Sequence, residues 1–395
     1  AQAVGLHGIA TCEFLLGHDG TLAFLEINPR IQVEHPVTEQ VTGIDLVEWQ
    51  LLLATSGLLP LTDDPTPRAH AIEARVYAED PWQSFFPAPG TLATVAWPSG
   101  PRIRVDAGYA SGDQVPAEYD SLLAKIIASG PDRDAALATL QIALSETIVA
   151  GVATNLPWLN DLLANAAFRA GQPTTQTANT VTPTLPDRRP ALLAAVAQTL
   201  DQSEAGANAT DPWSSIGPFR LAGSTPLTFH GEDWEERVTI RRGAHAIEIV
   251  DADQATPLRW WRDDAGVWTV VAGEVTARLA VVRRDPGELE VSGQGGRWLI
   301  RPGPRPPISA SVGPRLAAGS DGVVRAPIPA RVLRLHTGVG DSVERGQTLV
   351  TLSAMKMELA CEAPVTGVVE TVSCAVDDQV KAGQTLLRVE PATLP

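Results

Sequence analysis

Ala326-Pro-Ile-Pro-Ala-Arg-Val-Leu-Arg-Leu-His-Thr-Gly-Val-Gly-Asp-Ser-Val-Glu-Arg-Gly-Gln-Thr-Leu349 aligns without gaps on Ala363-Pro-Val-Thr-Gly-Val-Val-Glu-Thr-Val-Ser-Cys-Ala-Val-Asp-Asp-Gln-Val-Lys-Ala-Gly-Gln-Thr-Leu386, at a constant offset of 37 residues. Identities include Val332/Val369, Val339/Val376, Asp341/Asp378, Val343/Val380 and the whole Gly-Gln-Thr-Leu of 346–349 and 383–386. Short β-branched runs punctuated by Gly, Pro and Asp are strand-and-turn sequence. Each copy is therefore expected to form half of a small β-sandwich with a pseudo-two-fold axis.

Between the copies lies Leu352-Ser-Ala-Met-Lys-Met-Glu-Leu359. The chain must reverse there, which puts Lys356 at an exposed hairpin tip. A lysine in such a turn is ordinarily just solvated. Three features argue otherwise: two Met residues flank it outside any helical stripe, the repeat centres on it, and of 30 Lys plus Arg only Lys125, Lys356 and Lys381 are lysines. An amine that must form an amide cannot be replaced by guanidinium.

Ala354-Met-Lys-Met357 within a half-repeated β-domain resembles the biotinyl domain of biotin-dependent carboxylases. The resemblance implies a covalent biotin on Lys356, attached by a biotin protein ligase. The related lipoyl domain shares the architecture, but its lysine usually follows an acidic residue and lacks the Met pair. Ala330 stands where the family usually has Gly, whereas the second copy keeps Gly367.

Upstream, Arg301-Pro-Gly-Pro-Arg-Pro-Pro307 through about Ser320 reads as a Pro/Gly tether, extended at ~3 Å per residue. Residues 218–301 form a series of short strands with turns at Arg242-Gly243, Asp264-Ala-Gly266 and Pro286-Gly287, preceded by a helix-like run from Ala191 to Leu200. Six of the ten Trp residues fall between 213 and 298, where they serve either an interface or a core. Gly171-Gln-Pro-Thr-Thr-Gln-Thr-Ala-Asn-Thr is linker-like. Residues 131–150 read as an amphipathic helix with Asp132 as N-cap and Gly151 just past its end.

Near the start, residues 12–16 and 22–27 flank His18-Asp19-Gly20-Thr21, and Asp-Gly is a strong two-residue hairpin signal. Such a turn pairs residues whose numbers sum to 39, which sets Glu13 opposite Glu26, with Asn28 on the same face. Two carboxylates directly opposite on a sheet repel by up to ~1 kcal/mol. A hard divalent cation would offset that; two solvated acids on an edge hairpin are the plainer alternative.

Glu26-Ile-Asn-Pro-Arg-Ile-Gln-Val-Glu-His-Pro-Val-Thr-Glu39 resembles, over its whole length, the signature of biotin carboxylase, an ATP-grasp enzyme. The resemblance implies that Glu13, Glu26 and Asn28 hold Mg²⁺ (or Mn²⁺) bridging ATP phosphates. Arg30 and Gln32 would bind bicarbonate, Arg30 also acting in catalysis, and Glu34 would be the base that deprotonates it. His35, before a proline, reads as structural, and Pro29 replaces a common Thr or Ser. His70-Ala-Ile-Glu-Ala-Arg-Val-Tyr-Ala-Glu-Asp-Pro81, Phe86-Pro-Ala-Pro-Gly90 and Tyr119-Asp-Ser-Leu-Leu-Ala-Lys125 resemble the C-terminal domain of the same enzyme. Aligning on Tyr119-Asp-Ser puts Arg104 where the family stabilises the enolate of biotin, with Arg102 on the same strand face as the alternative. Lys125 receives no role.

The expected fold is α+β and multidomain: 1–58, the C-terminal part of an ATP-grasp domain; 59–170, a biotin carboxylase C-terminal domain; 171–190, a linker; 191–302, a helix plus β-barrel-like docking domain resembling that of acyl-CoA carboxylase α-subunits; 303–320, the tether; 321–391, a biotinyl β-sandwich. The resemblance implies ATP- and bicarbonate-dependent carboxylation of biotin on Lys356, then CO₂ delivery to a carboxyltransferase β-subunit in a hetero-oligomer, with an acetyl-, propionyl- or 3-methylcrotonyl-CoA acceptor. A non-catalytic carrier and docking module is the alternative. No segment is long enough for the carboxyltransferase domain of a pyruvate or urea carboxylase. The first residue is Ala, and the reading expects a chain cut at its front, lacking part of the ATP site and unable by itself to carboxylate biotin.

Composition agrees. A net charge of −16 without a basic block argues against nucleic acid, and no apolar run approaches a membrane span. Cys12, Cys361 and Cys374 are odd in number and lack metal-ligand spacing. A reducing compartment is expected, the cytoplasm or a mitochondrial matrix.

Overall fold

The computed structural model describes residues 3, 5–59, 61, 63–205, 224–243, 246–251, 254–284, 287–303, 322–354 and 357–391. Its first element is an antiparallel hairpin, β1 (Thr11–Leu16) and β2 (Leu22–Asn28). The connection is a three-residue loop, not the expected two-residue turn. Gly17 N–H donates to Thr21 O at 2.8 Å, Gly20 N–H donates to Gly17 O at 3.0 Å, and Gly20 takes φ 83°. This is a turn followed by a left-handed glycine. Near the loop Phe14 therefore pairs with Phe24, and a bulge after Glu13 then shifts the register so that Glu13 faces Glu26. The expected pairing holds because the longer loop and the bulge cancel.

Two helices follow, α1 (His35–Thr42), with a proline in its first turn, and α2 (Leu46–Ser56), N-capped by Asp45, whose carboxylate accepts Glu48 N–H. Beyond them β3 (His70–Tyr77), β8 (Ile103–Ala107) and β10 (Leu122–Gly130) form a three-stranded sheet in the order β3-β10-β8. Shorter strands fill the intervals: β4 (Glu79–Asp80) with β5 (Phe86–Pro87), β6 (Gly90–Thr91) with β9 (Gln114–Val115), and β7 (Thr94–Ala96) with β11 (Ile148–Ala150). One sheet face carries Ala74, Val76, Ile126 and Ala128, which pack on Leu137, Leu140 and Leu144 of α3 (Arg133–Glu146). Asp132 caps α3 as expected, its carboxylate accepting Ala135 N–H at 2.8 Å. The helix stops at Glu146, however, and Ile148–Ala150 is strand, as three consecutive apolar residues in a β-branched setting favour. Helices α4 (Leu156–Ala164), α5 (Ala166–Arg169) and α6 (Thr175–Thr180) lead away from the sheet.

Next comes α7 (Arg189–Ala205), enclosed by a closed eight-stranded barrel whose antiparallel strands follow sequence order: β12 (Thr225–His230), β13 (Glu235–Arg242), β14 (Ile247–Asp251), β15 (Gln254–Arg262), β16 (Val267–Ala272), β17 (Val275–Arg283), β18 (Leu289–Gly293) and β19 (Gly296–Pro302). Ala191 through Ala197 and Leu200 are buried on all sides. A helix apolar all round is one that must be surrounded. Trp268 and Trp298 belong to this core, Trp234 and Trp260 pack half-buried against it, and Trp261 is exposed. The indoles therefore serve mainly the core; Trp213 lies outside the described residues.

The last unit contains β20 (Val323–Arg325), β21 (Ala330–Leu335), β22 (Ser342–Val343), β23 (Thr348–Ala354), β24 (Met357–Glu362), β25 (Gly367–Val372), β26 (Gln379–Val380) and β27 (Thr385–Pro391). Its sheets run β20-β27-β25-β22 and β24-β23-β21-β26. Each sheet takes two strands from β20–β23 and two from β24–β27, so the halves that carry the two copies interlock instead of forming one sheet each. The repeated polar residues do the same work twice. Asp341 and Asp378 each accept a backbone N–H three residues back, at 2.7 Å, and Gln347 and Gln384 each close a turn at 3.0 Å.

Candidate active site

The β1–β2 hairpin brings the first three candidates together. Glu13 and Glu26 are cross-strand partners, and the Asn28 side-chain amide donates to Glu13 Oε1 at 2.9 Å and to Glu26 Oε1 at 3.1 Å. An N–H₂ group thus bridges two carboxylates that would otherwise repel. With the amide turned over, the three side chains offer oxygen only, the donor set of a hard divalent cation. Among the described residues no group of three or more His, Cys, Asp or Glu forms a metal cluster; here the third donor is an amide.

The chain then turns sharply. Arg30 N–H donates to Asn28 O at 2.9 Å, and the exposed Arg30 guanidinium touches Ile31 O at 3.2 Å. Glu34 is the N-cap residue of α1, with an exposed side chain that caps no N–H, so its carboxylate is available. His35 is held by its Nδ1 at 2.8 Å from Gln32 O. Arg30, Gln32 and Glu34 therefore follow the Glu13/Glu26/Asn28 trio on a single short loop.

Beneath that loop lies the polar face of the β3-β10-β8 sheet. Its register sets Glu73, Ile127 and Arg104 in one row and Arg75, Lys125 and Asp106 in the next. Lys125 Nζ donates to Val33 O at 3.1 Å and pairs with Asp106 at 3.1 Å, pinning the loop to the sheet. Arg104 is committed more fully. Its Nη1 donates to Glu39 at 2.6 Å, and Nε and Nη2 donate to the two oxygens of Asp106 at 2.8 and 3.0 Å. Burial pushes the Asp106 carboxyl up, but Arg104 and Lys125 outweigh it and hold Asp106 below its ordinary value. The hydrogen bonds that Arg104 donates to Asp106 and Glu39 likewise hold its charge in place. Glu39 itself is 6% exposed and also accepts Leu46 N–H at 2.7 Å.

Sequence reading missed Glu39, Glu73, Arg75 and Asp106. Arg75 lies over the Tyr77 ring at 5.2 Å and donates to the Tyr77 hydroxyl, while its Nε is buried without a partner among the described residues. Period-two alternation in His70-Ala-Ile-Glu-Ala-Arg already places Glu73 and Arg75 on one face, which was the available signal. At the far end of the chain, Ala354 pairs with Met357 across the β23–β24 hairpin. Met355 and Lys356, the modification candidate, lie outside the described residues.

Four family models match in chain order. They are Carbamoyl-phosphate synthase L chain, ATP binding domain, on residues 1–62; Biotin carboxylase C-terminal domain on 73–180; Methylcrotonyl-CoA carboxylase, alpha-subunit, BT domain on 186–305; and Biotin-requiring enzyme on 322–389. The chain is 31% identical to the mitochondrial methylcrotonoyl-CoA carboxylase subunit alpha of Dictyostelium discoideum, over 98% of this chain and 58% of that one. It is 29% identical to the biotin-dependent acyl-coenzyme A carboxylase alpha3 subunit of Mycobacterium leprae, over 97% and 54%. Against the biotin carboxylase of Halalkalibacterium halodurans it is 43% identical, over 44% of this chain and 39% of that one. The chain thus spans little more than half the length of the two relatives that match it throughout. A carboxylase C-terminal domain, a BT domain and a biotin domain, joined in this order behind an ATP-grasp hairpin, make the chain a member of the biotin-dependent acyl-CoA carboxylase alpha-subunit family.

Proposed function

We propose that this chain is the biotin-bearing subunit that loads CO₂ from bicarbonate onto biotin at the expense of ATP, for delivery to a carboxyltransferase partner. One observation carries the reading. The Glu13/Glu26/Asn28 trio and the Arg30-to-Glu34 loop are contiguous and fixed on a carboxylase C-terminal sheet, in a chain that also holds a biotin domain.

Glu13, Glu26 and Asn28 would hold Mg²⁺, which when bound neutralises and orients the ATP phosphates. Arg30 and Gln32 would seat bicarbonate. Glu34, exposed and free of a capping bond, would accept its proton and so make it the nucleophile towards the terminal phosphate of ATP. Biotin on Lys356 would supply the nitrogen that receives CO₂. Glu39 and Asp106 already balance Arg104, the sequence candidate for steadying negative charge at that acceptor. Arg75, on the same sheet face and with Nε unpartnered, is the better-placed cation for this role. A guanidinium not already neutralised gives the larger stabilisation.

A carboxyltransferase β-subunit and a biotin protein ligase are the partners this reading requires, in a hetero-oligomer of the cytoplasm or mitochondrial matrix. Among the described residues no helix is long and apolar enough to cross a membrane. The acyl-CoA acceptor would be of the acetyl, propionyl or 3-methylcrotonyl type. Streptavidin blotting of the chain expressed with a biotin protein ligase tests the carrier role: signal in wild type and none in Lys356→Arg is expected, and signal persisting in the variant rejects it.

A further inference from the structure

Phe85 and Phe86 are neighbours on one loop of the carboxylase C-terminal domain, and their rings go to different domains. Phe85 packs edge-on against Trp158 of α4, with ring centroids 5.2 Å apart. Phe86, on β5, belongs to none of the hydrophobic clusters of its own domain; it packs instead against the core of the biotin domain. The backbone is strained where the two rings part. Ser84 and Phe85 take φ 54° and 58°, and a bulky residue at positive φ is held there only by what surrounds it.

The turn that opens the first copy of the repeat receives Phe86. Phe86 and Pro116 line a groove of about 580 Å³ whose other side is Pro327, Ile328, Pro329 and Ala382. Ile328 is buried and is part of the biotin-domain core, so the contact continues that core across the domain boundary. Gly383 N–H donates to Ala326 O at 2.8 Å, which sets Ala382 beside the turn. Strand β21 follows the turn directly, and its Arg331 pairs with Ser353 near the end of β23. The docked end of the sandwich is therefore the end at which β23 passes into β24. Pro116, Pro327 and Pro329 have no backbone N–H, so the two faces meet with few polar groups to take out of water.

We propose that the loops carrying Phe86 and Pro116 form a docking surface for this chain's own biotin domain, a resting position in which the hairpin end of the carrier is held against the carboxylase C-terminal domain by an apolar contact. Both surfaces belong to one chain, so association is intramolecular, and a contact too small to hold two separate proteins together suffices. The dock is a property of the two domains and does not depend on the ATP or bicarbonate chemistry proposed above.

Hydrogen exchange of the 395-residue chain, followed by mass spectrometry of its peptides, tests the dock. Phe86→Ser removes the ring from the carrier without opening a core of its own domain. It is expected to speed exchange severalfold in residues 326–335 and 379–384, across the groove, and to leave unchanged residues 363–372, the same turn and strand in the second copy. Pro329→Asp, on the carrier side, should in return speed exchange in residues 83–90 and 114–118. The two substitutions together should do no more than either alone, because both remove one shared contact. Small-angle X-ray scattering should show a larger radius of gyration in each variant. Should Pro329→Asp unfold the biotin domain, seen as fast exchange throughout 322–391, Phe86→Ser alone decides. Exchange in 326–335 and 379–384 that is identical in wild type and Phe86→Ser overturns the proposal. Faster exchange confined to residues 70–130 overturns it too, by making Phe86 a packing residue of its own domain.

Discussion

Glu290, on β18 of the barrel, accepts the backbone N–H of Gly151 at 2.8 Å, and these two residues are 139 positions apart. Arg284 completes the tie from the other side, donating to Gly151 O at 2.6 Å. The carboxylase C-terminal domain and the barrel are thereby clamped at one residue, Gly151. Ile148 and Ala150 of β11 pack beside it on Val267 and Ala280 of the barrel. Gly151 suits this junction because φ is 112° and a Cβ would lie 2.1 Å from Thr91 O.

The clamp makes a prediction for Glu290. Its side chain is fully buried, and Arg284 and Arg297 both pair with it. Removing one partner of a buried ion pair costs about 3–5 kcal/mol, since the remaining charges stay buried. Glu290→Ala should therefore lower the chemical-denaturation midpoint and split barrel from carboxylase-domain unfolding, monitored by Trp fluorescence. Burial pushes the Glu290 carboxyl up, but Arg297, Gly151 N–H and Arg284 outweigh it and hold it below its ordinary 4.5. A folded-state value below the unfolded one means the stabilisation is present above pH 4.5 and is lost as pH falls through the folded value. Wild type should thus lose stability on acidification more steeply than Glu290→Gln.

Metal removal offers a second check at the hairpin. Without a cation the Glu13/Glu26 pair is a cross-strand repulsion, softened by Asn28. Glu26→Gln should leave the metal-free chain unchanged or more stable by up to ~1 kcal/mol, while abolishing Mn²⁺ binding seen by electron paramagnetic resonance. Loss of stability without loss of Mn²⁺ binding would contradict the cation assignment.

The repeat makes the third prediction. Asp377 takes φ 75°, unusual for a residue other than glycine, and the first repeat has Gly340 at the equivalent position with φ 94°. Asp tolerates this region better than Ala and here also pairs with Arg331 at 2.5 Å. Asp377→Ala should cost about 1 kcal/mol in thermal unfolding, by the glycine-to-alanine penalty at positive φ. Asp377→Gly should be close to neutral.

These features differ in how far the chain alone reveals them. The 37-residue repeat foretells the small β-sandwich and accounts for the paired Asp and Gln turns, because these are local. It does not foretell the interlocking of the copies, which depends on strand pairing between them. Glu13 and Glu26 are legible as partners, although the loop and bulge that produce the pairing are not. What stays hidden is what spans long separations: Glu39 with Arg104 across 65 residues, Lys125 with Val33 across 92, Glu290 with Gly151 across 139. Strand alternation shows which face Arg104 occupies but not which carboxylate neutralises it.

That neutralisation separates Arg104 from Arg75 by experiment. Arg104 is the direct ion-pair partner of a nearly buried Glu39 and the bidentate partner of Asp106, so Arg104→Met leaves a buried carboxylate with its cation gone. The expected loss is about 3–5 kcal/mol, read as a fall in the urea midpoint of the 395-residue chain. Arg104→Lys should recover only part of it, because an ammonium cannot satisfy Asp106 through two parallel N–H groups. Arg75 donates to the neutral Tyr77 hydroxyl and stacks on its ring, so Arg75→Met should cost clearly less. In an enzyme holding the complete ATP site, Arg75→Met should instead depress the rate of biotin carboxylation while the protein remains folded. A large rate loss with Arg104→Lys in a fully folded protein, and none with Arg75→Met, would return the charge-stabilising role to Arg104.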